Sequence, residues 1–256
     1  MIDYQLRSPF FVLTVAVVVT SLSVWIGVLL RRRHQDIDPD VCRDLELILG
    51  STLTLLGLII GFTFSMAINR YDQRKNYEEA EANAIGTEYV RAELLPAADA
   101  GRVRTLLREY LDQRILFYRT RDQQNLQQID ERTAHLQTEL WSAVRAPATA
   151  QQTPILALTL AGMNDVLNSQ GYTQAAWWNR IPTGAWGLMG AVAICCSLLV
   201  GYTAHRAREG YIRLMILPLI LSIAFFLIAD IDGPRRGVIR VHPQNLISLA
   251  QSLHGG

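Results

Sequence analysis

Three groups of side chains in this 256-residue chain are spaced so that they could act on an ion or a ligand. Thr54, Leu58 and Phe62 recur at strict four-residue steps. On an α-helix that spacing puts them on one wall, turning by about 40° per step. A ring of apolar side chains built from several copies of such a wall can gate a passage by expelling its water. Two turns further on come Asn69, Arg70, Asp72, Arg74 and Lys75. A cluster with three cations and one anion at a pore mouth raises the local anion concentration; the plainer reading is ordinary anchoring of a helix end. The third group is Asp230 and Asp232, followed by Arg235, Arg236 and Arg240. Carboxylates at a membrane boundary are costly unless paired, so this acidic pair reads first as a structural clasp and second as a ligand site.

Catalysis finds no support. His34, His135, His205, His242 and His254 are scattered without metal-ligand spacing. No Gly-rich phosphate loop follows a strand, and no nucleophile occupies an elbow motif. The expectation is a protein that is not an enzyme and has no cofactor and no metal site. Cys42, Cys195 and Cys196 are odd in number, and two of them are adjacent; they read as reduced packing residues rather than disulfide or metal ligands. The net charge is +1, and no basic run is interleaved with aromatics, so no nucleic-acid partner is expected.

The elements that must position these groups are four uncharged apolar stretches, residues 9–30, 47–68, 181–204 and 214–229. At about 1.5 Å per residue, a 22-residue stretch reaches roughly 33 Å, enough to cross a hydrocarbon core of about 30 Å. The predicted fold class is all-α and integral to the membrane, with four transmembrane helices and a helical soluble domain between spans two and three. Residues 1–68 form an N-terminal transmembrane hairpin, 69–180 the central domain, 181–229 a second hairpin and 230–256 a tail. The first stretch is too long for a signal h-region and ends in Arg31, Arg32 and Arg33, so it is expected to stay as an anchor. The fourth is shorter and carries Pro218; it reads as a span, with a re-entrant or interfacial segment as the alternative. Seven Arg in the two short loops face eight Lys and Arg near the span ends on the other side, and that near tie leaves orientation undecided.

In the central domain, residues 71–95 continue the second span without a turn signal, so the two are expected to form one rod ended by Pro96. Asp99 is expected to cap a second helix, with Val103, Leu106, Leu107, Tyr110, Leu111, Ile115 and Tyr118 on one face. Leu126, Ile129, Thr133, Leu136, Leu140 and Val144 form a coiled-coil-like stripe. Residues 145–154 read as a linker, and Pro154 opens a helix through Leu167. Tyr172, Trp177, Trp178 and Trp186 suit a belt of rings at headgroup depth. Glu78, Glu79 and Glu81 read as a solvated face, and Asp165 as a subunit contact or an exposed edge. Gly50, Thr54, Gly57, Gly61 and Ser65 form a narrow small-residue stripe on the second span; it serves either tight helix packing or the lining of a passage.

The run from Gly61 and Phe62 through Asn69, Arg70, Tyr71 and Asp72 to Arg74 resembles the end of the second membrane helix in bestrophins. The stretch Glu81, Asn83, Ile85, Gly86, Glu88, Tyr89, Arg91 is similar to the bestrophin-like membrane proteins of bacteria. The segment from Asp230, Asp232, Gly233 and Pro234 to Gly237, then Pro243, Asn245 and Leu246, resembles the segment after the last bestrophin span. The order of elements also agrees. The resemblance implies a pentameric anion channel with central domain and termini in the cytosol. It implies a neck at Thr54, Leu58 and Phe62, where Thr54 departs from the family's apolar pattern. It also implies an acidic calcium clasp, but here Arg235 and Arg236 stand where further acids would be expected. Two carboxylates beside two guanidinium groups make a poor cage for Ca²⁺, which takes six to eight oxygens, so no calcium gating is expected. The working reading is an oligomeric ion channel of the plasma membrane, anions favoured, its pore lined by the second span. The alternative is a membrane-anchored interaction protein that transports nothing.

Overall fold

The computed structural model describes residues 8–33, 39–150, 153–204, 211–235 and 237–254. Eight α-helices occur among them: α1 (Pro9–Arg33), α2 (Pro39–Arg91), α3 (Ala97–Arg119), α4 (Gln123–Ala150), α5 (Pro154–Trp178), α6 (Thr183–Thr203), α7 (Tyr211–Asp232) and α8 (Gln244–His254). Four helical stretches are long and apolar enough to cross a membrane. The protein is thus all-α and integral to the membrane. Arg7, Arg206, Arg208 and Arg236, which entered the charge and clasp arguments, lie outside the described residues, as do His34 and His205.

The chain divides into two units, residues 1–70 with 180–239, and residues 71–179 with 240–256. In the first, α1 packs along both α6 and α7. Gly27 on α1 meets Gly201 on α6, and both are buried, as are Ser23 and Ser197 one turn earlier on each helix. A methyl group on Gly27 would overlap the carbonyl oxygen of Leu198, and one on Gly201 the carbonyl oxygen of Val24. Small residues four apart on both helices let the backbones touch, which is how helices associate where lipid removes the hydrophobic drive. α7 is 22 residues long despite Pro218 inside it, long enough to span.

In the second unit, α2 from Tyr71 onward packs with α3, α4, α5 and α8 around one hydrophobic core. The α3 face expected from sequence is buried or half-buried throughout, and every residue of the α4 stripe is buried. Three expectations need correction. Residues 145–154 are not a linker through their length: α4 runs on to Ala150 with Pro147 inside it. A proline near a helix end removes only one late backbone bond, and here its ring is buried. α3 begins at Ala97 with Pro96 at its N-cap, so Asp99 lies inside the first turn. α5 does not stop at Leu167 but continues to Trp178, after an N-cap in which Thr153 accepts from the Leu156 amide at 3.3 Å. That extension puts Trp177 in the core, its ring 5.0 Å from Phe117 and 5.4 Å from Tyr118, not at a headgroup belt.

The close α1–α6 crossing makes a direct prediction. Gly27→Ala should lower the melting temperature of the detergent-purified protein, corresponding to about 1–3 kcal/mol of overpacking. Gly101→Ala on α3, where an added methyl meets nothing within 4 Å, should not lower it.

Candidate functional site

Within the first unit, α2 has one face turned inward, with Leu56, Thr63 and Ala67 buried. The opposite face carries the sequence-predicted row. Leu58 and Phe62 are 54% and 65% exposed, and Thr54 is exposed beside them. Gly50, Gly57, Gly61 and Ser65 are exposed too, and an added methyl at any of the three glycines meets nothing within 4 Å. The small-residue stripe therefore does not serve helix packing within one chain. Thr54 donates its hydroxyl to the Gly50 carbonyl at 2.9 Å. This back-bond satisfies the donor within the helix, so Thr54 departs less from an apolar pattern than its type suggests.

Past the row, Asn69 is exposed and Arg70 is half-buried, its Nη1 4.0 Å from Asp232. Asp232 also accepts from the Ile181 backbone amide at 3.2 and 3.3 Å. Asp230 is buried and accepts from the amides of Val238 and Ile239, both at 2.8 Å, so the tail folds back onto the end of α7. Gly237 permits this: a Cβ there would stand 2.5–2.8 Å from Asp230 atoms. The acidic clasp thus holds backbone amides as well as a guanidinium group, a use that sequence spacing does not signal. Each Asp230 oxygen and each Asp232 oxygen thus accepts from a backbone amide.

In the second unit, Lys75 is exposed but Arg74 is buried. Arg74 donates to the carbonyls of Ala176 and Asn179, each at 3.2 Å, and so caps the C-terminus of α5, where a cation is favoured. As a free cation at a pore mouth, Arg74 is corrected by this burial. The solvated acidic face is corrected as well: Glu79 is exposed, but Glu78 and Glu81 are buried. Glu78 accepts from the Leu246 amide at 3.0 Å, which satisfies one orphan backbone donor at the start of α8, and from the Asn245 side chain at 2.7 Å. Glu81 pairs with Arg114 and accepts from the hydroxyls of Tyr118 at 3.2 Å and Thr173 at 3.3 Å. The Arg114 guanidinium also lies 4.4 Å from the Phe117 ring centroid. Burial alone would depress the Arg114 pKa; Glu81, joined by Tyr110 and Tyr118, outweighs it and holds it above the ordinary range. Burial, with Glu81 adding to it, pushes the Tyr118 phenol up, so it stays a hydrogen-bond donor. Asp165 is exposed, and Cys42, Cys195 and Cys196 are all free thiols.

Four apolar spans, the second prolonged into a helical unit that packs on buried charge, define a helical membrane protein of one recognisable architecture. A bestrophin-like domain model matches residues 13–246, and the chain belongs to the bestrophin-like family. Among solved structures, a bacterial bestrophin homologue from Klebsiella pneumoniae phased with zinc superposes with a TM-score of 0.62 at 12% identity, covering 94% of this chain and 95% of that one. A point variant of a bacterial bestrophin homologue from the same organism gives 0.66 at 12% identity, with 95% and 94% covered. A variant described simply as a membrane protein gives 0.68 at 12% identity, with 94% and 97% covered. At such identities the likeness is one of fold. No curated protein matches the sequence.

Asp230→Ala should strand the Val238 and Ile239 amides and cost about 2–4 kcal/mol, from hydrogen bonds to a charged group. Its melting temperature should fall well below that of Asp72→Ala, an exposed change expected to stay within about 0.5 kcal/mol. Added Ca²⁺ should leave the melting temperature of the unmodified protein where it is.

Proposed function

We propose that this protein is an oligomeric ion channel of the plasma membrane in which copies of α2 face one another and line the pore. The observation that carries the reading is the bare outer wall of the second span. Its apolar window is 11% buried, against 33%, 28% and 39% for the other three, and Thr54, Leu58 and Phe62 rise along the uncovered side. A span with a small-residue stripe and an apolar row, neither covered by its own chain, suits contact with further copies around an axis. There the row forms a constriction that excludes water when narrow. Membership of the bestrophin-like family supports a channel rather than an enzyme, and a homo-oligomer; five copies follow the resemblance. Anions are favoured because Lys75 is exposed and Asn69 and Arg70 stand at the end of the apolar stretch. Asp230 and Asp232 act as the clasp that fixes the tail, not as a metal site.

Protein reconstituted in liposomes should pass chloride or a similar ion, and Phe62→Ala should raise the flux several-fold. Oriented, oligomeric protein that passes no ion would contradict the channel and favour a membrane anchor for a partner-binding unit. The family resemblance supports an orientation with the helical unit and both termini in the cytosol. A cysteine placed at the exposed Gln128 should then react with an impermeant reagent only after cells are opened.

A further inference from the structure

Glu88 belongs to the family-like stretch of α2, and its role is not covered by the pore or the clasp. It is fully buried, and neither of its carboxyl oxygens has a hydrogen-bond partner. Glu78 and Glu81, earlier on the same inward side of the second unit, are both met by donors. Glu88 instead abuts Gly162 on α5, where a methyl group would overlap its Oε2 and stand 2.5 Å from Arg91 Nη1. Thr159, three residues before Gly162 and also buried, has a hydroxyl without a partner. Glu88 is thus an unpaired acid set against α5, whose own buried Thr159 hydroxyl is unpaired one turn away from Gly162. An unpaired carboxylate in such a place disfavours its charged form.

We propose that Glu88 is a proton-binding switch set into the α2–α5 contact: the neutral acid is the form that closes the contact against Gly162, and the carboxylate the form that loosens it. The charged groups acting on it are Arg91 on its own helix, half-buried, and Asp165 on α5, exposed. Burial pushes the Glu88 carboxyl up to about 8; Arg91 opposes the rise and Asp165 adds to it. The folded protein therefore keeps this proton between about pH 4.5 and 8, where the unfolded chain has released it. The stabilising effect is complete below about 4.5 and is lost as pH rises through about 8.

The test uses the full-length protein in detergent, titrated from about pH 5 to 9 and followed by infrared difference spectroscopy and thermal melting. A protonated-carboxyl band should disappear with a midpoint near 8, and Glu88→Gln should abolish that band and flatten the fall of melting temperature with pH. Asp165→Asn changes an exposed side chain, leaves the contact intact and should shift the midpoint downward, which keeps the test decisive if Glu88→Gln folds poorly. A band that persists in Glu88→Gln, or a midpoint unmoved by Asp165→Asn, would overturn the proposal. Neither readout depends on ion flux, so a failed channel and a failed switch are distinguishable.

Discussion

Burial of charge along α2 is the constraint on which the helical unit is built. Arg74, Glu78 and Glu81 are all buried, and an ion taken out of water must recover its solvation from fixed partners. Each does so differently: Arg74 from carbonyls at the end of α5, Glu78 from the Leu246 amide and the Asn245 side chain at the start of α8, Glu81 from Arg114, Tyr118 and Thr173. Those partners fix where α3, α5 and α8 must lie. Removing one member of a buried pair costs about 3–5 kcal/mol, whereas replacing both with apolar groups can be neutral. The charges therefore select one arrangement of helices more than they add stability to it.

The apolar part of α2 obeys a different rule. Lipid offers no penalty to an exposed Leu or Phe, so burial inside one chain is not required there. Close approach in the span unit is instead concentrated where Gly27 and Gly201 bring α1 and α6 together. Gly50, Gly57 and Gly61 on the apolar part of α2 meet nothing in their own chain, and that asymmetry is what makes the second span the wall available to other copies.

Much of this was legible in the sequence. Uncharged length gave the four spans, and the unbroken run past Ile68 gave one continuous helix from Pro39 to Arg91. Apolar spacing gave the inward faces of α3 and α4. What could not be read was which charges turn inward, because their partners lie 33 residues away for Glu81 and Arg114, 102 for Arg74 and Ala176, and 168 for Glu78 and Leu246. Glu78, Glu79 and Glu81 look alike as a string, yet only Glu79 is exposed. Proline misled for a local reason: Pro147 is accommodated in the last turn of α4, and Pro96 rather than Asp99 opens α3. The polar stretch after Leu167 hid the rest of α5, whose residues Thr173 and Trp177 complete the core.

The central claim is that the outer wall of the second span faces its own copies. Oxidative cross-linking of Leu58→Cys, in protein whose three native cysteines are replaced, measures this most directly. The account predicts covalently linked subunits in the bilayer-reconstituted assembly. An intact oligomer in which position 58 never cross-links, and reacts only with a lipid-dissolved probe, would contradict it.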